Sequence, residues 1–461
     1  MKHLRQAIVG VDRELPLMNG GTAPYINFDN AASTPSLRRV LDRVNAFMDF
    51  YSSIHRGTGF KSRLSSEAYE ACRRLAGDFV GADPEEYTVI FGKNATEAIN
   101  KLSYRLRLSP EKVVIVSLLE HHSNDLPWRH QGRVLHAPVN RSDGKIDLED
   151  LQSMIHEHEK DLALVAISGA SNVTGHITPL REVGAMAHAA GALFMVDGAQ
   201  LVPHKPVNMT ADDIDFLTYS AHKMYAPFGT GVLVARRNLM SREIPPEYPG
   251  GGTVRCVSLT DVAWDDSPFR DESGSPNVVG AVALGEAIRF FQEVGFSRME
   301  KIEHDLITRL LLGLARLPGV EIYGNPDPFD LDQRLGVVPF NLGDIPHALL
   351  AAVLAYEYGI GVRNGCFCAH PYIKCLLGIE GEAEKRLGEK IRRNDRRDLP
   401  GAVRISFGFY NEAWEVDRLL GALEEIWEER SRLVQAYEVV ARTGEYVPRG
   451  HEDDFSHWFE L

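Results

Sequence analysis

Six apolar runs, separated by segments of helical pattern, fill residues 86–235 and leave this chain few folds to choose from. They are YTVIF (87–91), VVIVS (113–117), LALVAIS (162–168), ALFMVD (192–197), DFLTYS (215–220) and GVLVAR (231–236). The runs are rich in β-branched residues and apolar on consecutive positions, the pattern of strands buried on both faces of a largely parallel sheet. Helix-like segments such as TEAINKLSYRL and LREVGAMAHAAG lie between them. The fold class is therefore α/β, a sheet covered by helices. Past the Gly- and Pro-rich stretch YPGGGTVRCVSL (248–259) the pattern changes. Helices are expected at 279–295, 296–319 and 345–359, strands at 320–324, 334–342 and 401–409, and a terminal amphipathic helix over 412–444. This reads as a second, α+β domain, and 461 residues give room for both.

In a parallel sheet the strand ends open on one edge, where α/β proteins place ligands. Five segments at those ends carry polar groups. Lys223 follows the run DFLTYS, in Ser220-Ala-His-Lys223. It is either a solvated loop lysine or, beside apolar surface, a lysine of lowered pKa able to form a Schiff base. Asp197 closes ALFMVD, as a helix cap, a structural ion pair or the partner of a protonated pyridine nitrogen. A Schiff-base lysine with such an aspartate is the pair that a pyridoxal phosphate site needs. In IFGKNATEAIN a turn and a helix start near Asn94–Thr96 offer free N–H groups to a phosphate, although helix capping explains the same residues. Neither a Walker loop nor a strand-linked G-x-G-x-x-G is present. His121 or His122, after VVIVS, can stack on a flat ring or stand as a surface histidine. Asn172 lies at a further strand end, in ISGASNVTGHITPL.

Three of the five cysteines fall in one stretch, NGCFCAHPYIKC (364–375). Zinc ligands, a strained Cys366–Cys368 disulfide, inert buried thiols and a sulfur nucleophile are all readings of it. The odd cysteine count fits a reducing, cytoplasmic compartment. The N-terminal residues show no signal peptide or membrane span. A net charge of −14 argues against nucleic acid or an anionic membrane as main partner. The tail HEDDFSHWFEL suggests no role of its own and either packs on the body or frays.

From about Tyr25 to about Leu420 the chain resembles the cysteine desulfurase and selenocysteine lyase-like members of the class V aminotransferase family, fold-type I pyridoxal phosphate enzymes. The resemblance is carried by FDNAASTP, HRGTGFKSRLSSEAYEACR, GKNATEAIN, EHHSN, SNVTG, VDGAQ, SAHKMYAPFGTG, SGSPN, RNGCFCAHP and VRISFGFYNEAWEVDRL, in that order. It implies a large pyridoxal phosphate-binding domain over 25–285 with a mostly parallel seven-stranded sheet. A smaller α+β domain over 286–461 would follow, joined by the N-terminal segment 1–24. Lys223 would be the Schiff-base lysine, Asp197 the partner of the pyridinium, Gln200 that of the phenolic oxygen, and His121 would stack on the ring. Ala95, Thr96, Ser220 and His222 would hold the phosphate, and Ser275 would reach the phosphate of the partner subunit in a homodimer. Asn172 and Arg404 would bind the substrate carboxylate, with Asn30 and Ala31 of FDNAASTP beside the substrate. Cys368, in Arg363-x-Gly365-x-x-Cys368-Ala369, would take sulfur from L-cysteine, leave L-alanine and pass the sulfur to an acceptor protein. Cys366 is an additional thiol, and the Gly-Cys-Phe-Cys run is also similar to a segment of molybdenum cofactor sulfurases. A C–S lyase, a selenocysteine lyase, an epimerase, an aminotransferase and a non-catalytic sulfur carrier are the alternatives.

Overall fold

The apolar runs form the centre of a seven-stranded sheet. The structure is a computed structural model that describes residues 2–240, 244–452, 454–456 and 458. The strands are β1 (Tyr87–Gly92), β2 (Val113–Ser117), β3 (Arg133–Ala137), β4 (Leu162–Ser168), β5 (Leu193–Asp197), β6 (Phe216–Ser220) and β7 (Gly231–Arg236). Their spatial order is β1-β7-β6-β5-β4-β2-β3. Only β7 runs against its neighbours. The C-terminal ends of the other six therefore share one edge, where Gly231 pairs with both Gly92 and Ser220 and Ser168 pairs with Asp197.

Consecutive side chains on each strand enter different layers, and both layers are buried. Val114 and Val116 pack with Ile99, Leu102 and Trp128. Val113 and Ile115 face the opposite layer, with Tyr69, Leu284 and Ile288. Each such side chain contributes about 1.5–3 kcal/mol on burial, which is why these runs are continuously apolar. The exception is β3. It is an edge strand whose residues run from exposed Arg133 to buried Ala137, so it lacks the apolar signature of the others.

The second sheet holds β8 (Val320–Ile322), β9 (Val337–Leu342), β10 (Arg363–Gly365) and β11 (Ala402–Ser406), all antiparallel in the order β8-β9-β11-β10. Helices Phe296–Leu314, His347–Tyr358 and Ala413–Ala436 accompany it. The N-terminal segment joins the two sheets. Ile26–Asn27 pairs in parallel with Ile360–Gly361, and Phe28 O accepts the Ser406 N–H at 2.7 Å. Residues just after Phe28 are thereby suspended across the strand ends of the large sheet. A mostly parallel seven-stranded sheet with a smaller α+β unit is the architecture that the sequence implied.

The terminal helix is shorter than expected. It ends at Ala436, and a hairpin of β12 (Tyr437–Val439) and β13 (Tyr446–Pro448) follows. Tyr437-Glu-Val-Val suits a strand better than a helix, and Gly444 supplies the left-handed turn with φ +78°. Helix Glu382–Arg392, between the cysteine cluster and β11, was not assigned from the sequence. The tail reading falls partly on residues outside the described set; of those described, Phe455 is exposed and His451 packs edge-on against Tyr356. No helix among the described residues is long and apolar enough to cross a membrane.

Candidate active site

A cavity of about 520 Å³ opens at the shared strand edge. Its wall includes Ala31, Ala95, Thr96, His121, Asn172, Asp197, Gln200, Ser220, His222, Lys223, Cys368 and Arg404, twelve of the fourteen residues expected in the site. Asn30 and Ser275 are the two outside it.

At one end the turn after β1 forms a cup of hydrogen-bond donors. Helix Ala95–Leu106 starts here, with the Asn94 side chain capping the Glu97 N–H at 2.9 Å. Its positive end faces the cavity, the favoured place for an anion. Ser220 Oγ accepts the Ala95 N–H at 2.7 Å, so the hydroxyl proton remains available to a ligand. Gly231 makes the cup possible, since a Cβ there would lie 2.3 Å from the Asn94 carbonyl carbon. Thr96 Oγ1 meets Ser123 Oγ at 2.7 Å, and Ser123 Oγ lies 2.9 Å from His121 Nδ1.

The middle of the cavity carries three groups of unusual electrostatics. Asp197 accepts the Ala199 N–H at 3.0 Å, and burial raises its pKa in spite of that bond and of Lys223. A cationic ligand group would offset that burial. Burial likewise lowers Lys223 to about 8, with Asp197 opposing the shift and Arg404 adding to it. His121 is pushed down to about 3, first by burial and then by Lys223. Its Nδ1 accepts the Ser123 N–H at 3.2 Å, which places the ring proton on Nε2. The imidazole is thus a neutral, flat face. Gln200 Nε2 donates to Ala31 O at 2.6 Å and keeps a second N–H for the cavity.

The far end is built by the small sheet. Arg404, buried in β11, donates to Asn172 O at 2.8 Å and to Asp29 Oδ1 at 2.9 Å. Its Nε is buried without a partner in the described structure. Burial lowers its pKa to about 10 even with Asp29 in contact. Arg363, opposite Arg404 in register, meets the other Asp29 oxygen at 3.4 Å. One carboxylate therefore holds two guanidinium groups at the mouth, a planar fork suited to a carboxylate ligand.

Cys368 stands on a strained turn. Phe367 and Cys368 have φ +51° and +55°, a conformation costly for residues with a side chain. Two hydrogen bonds from strand ends of the large sheet hold it: Asn172 Nδ2 to Phe367 O and His122 N–H to Cys368 O, at 2.8 and 2.7 Å. The thiol is exposed and lines the cavity. The other members of the cluster face elsewhere. Cys366 Sγ donates to Pro400 O at 3.4 Å, and burial raises its pKa to about 11. His370 Nδ1 lies 2.9 Å from His122 Nε2, and Cys375 is half-buried against the core. All five cysteines are free.

Two expected substrate contacts are placed differently. Asn30 is buried behind the cavity, its amide donating to Ser406 O at 3.0 Å and its oxygen accepting from Tyr410 Oη at 2.9 Å. Ala31 reaches the cavity, but its N–H goes to Ser406 Oγ and its carbonyl to Gln200, leaving only an apolar wall. Asp29, Ser123 and Arg363 are part of the site and were not assigned a binding role. All three lie inside family motifs, FDNAASTP, EHHSN and RNGCFCAHP, but their partners come from distant segments.

The donor cup, the buried carboxylate, the neutral imidazole and the amine of lowered pKa fit pyridoxal phosphate, a flat cation with a phosphate at one end. The aminotransferase class-V family profile matches residues 26–419. A probable cysteine desulfurase of Halalkalibacterium halodurans is 33% identical over 411 residues, 87% of this chain and 93% of that protein. A cysteine desulfurase of Serratia proteamaculans is 34% identical over 429 residues, 90% of this chain and 97% of its own. Among solved structures, the apo cysteine desulfurase of Thermococcus onnurineus NA1 superposes with a TM-score of 0.77 at 31% identity, covering 91% of this chain and 97% of that one. A cysteine desulfurase (S-sulfonic acid) of Escherichia coli gives 0.76 at 27% identity, with 93% and 98% covered. The chain is a member of the class-V aminotransferase family.

Proposed function

We propose that this protein is a pyridoxal phosphate-dependent cysteine desulfurase that converts L-cysteine to L-alanine and leaves the sulfur as a persulfide on Cys368. The observation that carries this reading is a cysteine on a strained turn facing the same cavity as Lys223 and Asp197. Lys223 would hold the cofactor through Nζ, with Asp197 at its ring nitrogen, Gln200 at its phenolic oxygen and His121 against its face. Ala95, Thr96, Ser220 and His222 would hold its phosphate. When bound, the cofactor supplies an electron sink for the carbanion formed at the substrate Cα. Arg404 and Asn172 would orient the substrate carboxylate, and Lys223 Nζ would take the α-proton. Cys368 Sγ then attacks the substrate sulfur. The Cβ–S bond breaks, its electron pair stays with Cβ, and protonation gives the methyl group of alanine.

Ser275 is exposed and outside the cavity, which supports a homodimer in which it serves the partner subunit. Light scattering that returns the mass of one chain would count against that arrangement. Five free thiols support a reducing, cytoplasmic setting.

The test is a single turnover of the cofactor-loaded protein with L-cysteine, without reductant, followed by peptide mass analysis. The peptide containing Cys368 is expected to gain the mass of one sulfur atom. Cys368→Ser is expected to lose that gain while still binding cofactor. A gain at Cys366 instead, or persulfide formed normally by Cys368→Ser, rules out the assigned role.

A further inference from the structure

Asn172 and His122 hold the turn that carries Cys368 against the large sheet, and His122 does so with more than its backbone. Asn172 secures the first half of the turn through Phe367 O. His122 secures the second. Its peptide N–H donates to Cys368 O at 2.7 Å. Its imidazole Nε2 accepts the peptide N–H of His370 at 3.2 Å and lies 2.9 Å from His370 Nδ1. The His370 N–H is among the first donors of helix His370–Leu377, and the residue before it, Ala369, has no side chain that could cap it. The His122 ring serves as that cap from a distant segment of the chain.

These contacts fix the protonation of both rings. A peptide N–H directed at His122 Nε2 requires a lone pair there, so the ring proton of His122 sits on Nδ1. His370 Nδ1 faces the same lone pair and therefore carries its own proton, as a second donor. A proton added at His122 Nε2 removes both ring contacts at once. The surroundings oppose such a proton. Burial lowers the pKa of His122, His370 lowers it further, and Asp125 opposes the fall while Arg129 adds to it. Asp125 is already engaged, by Arg129 at 2.9 Å and by His136 at 3.1 Å. Burial and then Lys374 lower His370 in turn. The positive end of helix His370–Leu377 disfavours a cation at the same place. His121, the neighbour of His122 in the chain, is held neutral down to about 3.

We propose that His122 is a positioning residue for Cys368: its neutral ring, together with His370, clamps the cysteine turn, and protonation of that ring releases the turn. The catalytic consequence rests on the persulfide reading above, whereas the clamp is a property of the resting protein. Phe367 and Cys368 hold φ of +51° and +55°, and such a conformation persists only where its surroundings enforce it. Without the ring contacts, the second half of the turn keeps the backbone bond at Cys368 O and loses its hold on His370. Tyr372 Oη still meets Thr174 Oγ1 at 2.9 Å, so the helix stays anchored and the change is confined to the turn. Because the folded protein lowers the pKa of His122, the clamp is complete above about 6.5, the ordinary histidine value. It is lost as pH falls through the lower value of the folded state. A released turn no longer holds Cys368 Sγ at the cavity, and the attack on the substrate sulfur slows.

The test measures hydrogen exchange of the Ala369 and His370 amides in the full, cofactor-loaded chain, corrected for the intrinsic effect of pH. In the wild-type protein their protection is expected to fall about tenfold between about pH 7.5 and about pH 5. In His122→Gln the amide oxygen reaches about as far as Nε2 and does not titrate, so protection should stay level across that window. His122→Ala should lose about tenfold in protection at both pH values. At the higher pH it should also form persulfide about tenfold more slowly in a single turnover with L-cysteine, with bound-cofactor absorbance unchanged, and His122→Gln should restore the rate. His370→Ala, which keeps the peptide N–H, should lose part of the protection. A turn that opens with acid in His122→Gln as it does in the wild type overturns the proposal, and so does equal protection in the wild type and His122→Ala. Absence of persulfide in the wild-type protein would instead defeat the desulfurase reading, and the exchange comparison would still decide the clamp.

Discussion

Burial brings the Lys223 ammonium down to about 8, so at neutral pH roughly a tenth of the amine is already free to react. Because the amine must be neutral to bond a carbonyl, the rate at which apo protein takes up pyridoxal phosphate should rise with pH through about 8 and level off above it. Absorbance of the bound cofactor reads this rate, and a rate flat across that window would contradict the role of Lys223. At this scale the sequence was informative where a residue's place in the cavity follows from its place at a strand end. Lys223, Asp197, Asn172 and His121 line the cavity for that reason. Asn30 does not, because its orientation is fixed by Tyr410 and Asn411, some 380 residues away. Asp29 was missed on the same ground. Its significance appears only when β10 and β11 bring Arg363 and Arg404 to its two oxygens.

Elements place these residues, and the turn from β1 into helix Ala95–Leu106 is the most constrained of them. It lies so close to β7 that a single methyl at Gly231 meets backbone rather than a flexible side chain. Gly231→Ala should therefore displace the helix start, cost about 1–3 kcal/mol of stability and speed cofactor loss on dialysis. Thermal unfolding together with bound-cofactor absorbance checks both effects, and a variant that keeps wild-type stability and cofactor would contradict the cup as described. The buried strands were legible because burial on both faces makes them apolar throughout. Strand β3 was not, because an edge position allows Arg133 and His136 to stay on it. The terminal helix was read past Ala436, since the amphipathic pattern gives no warning of the hairpin. Only the β-branched pair Val439-Val440 and the Thr443-Gly444 turn announce it.

At the scale of the whole molecule, the chemistry depends on two sheets meeting. The large sheet supplies Lys223, Asp197 and the anion cup, and the small sheet supplies Arg404 and the strained cysteine turn. Asn172 and His122 tie that turn across the junction. No local pattern contains this arrangement. It was accessible from the sequence through the order of the motifs along the chain, which carries the fold with it. Helix Glu382–Arg392 and the hairpin beyond the family match were unreadable, because a charged, exposed surface leaves no periodic signature of what it touches. In the proposed reaction sulfur leaves cysteine by attack of a thiol and not by elimination. The most direct test is to incubate the cofactor-loaded protein with L-cysteine and a thiol reductant and to quantify alanine, sulfide and pyruvate together. Alanine and sulfide are expected in equal amounts, with no pyruvate. Sulfide accompanied by equal pyruvate and little alanine would contradict attack by the thiol.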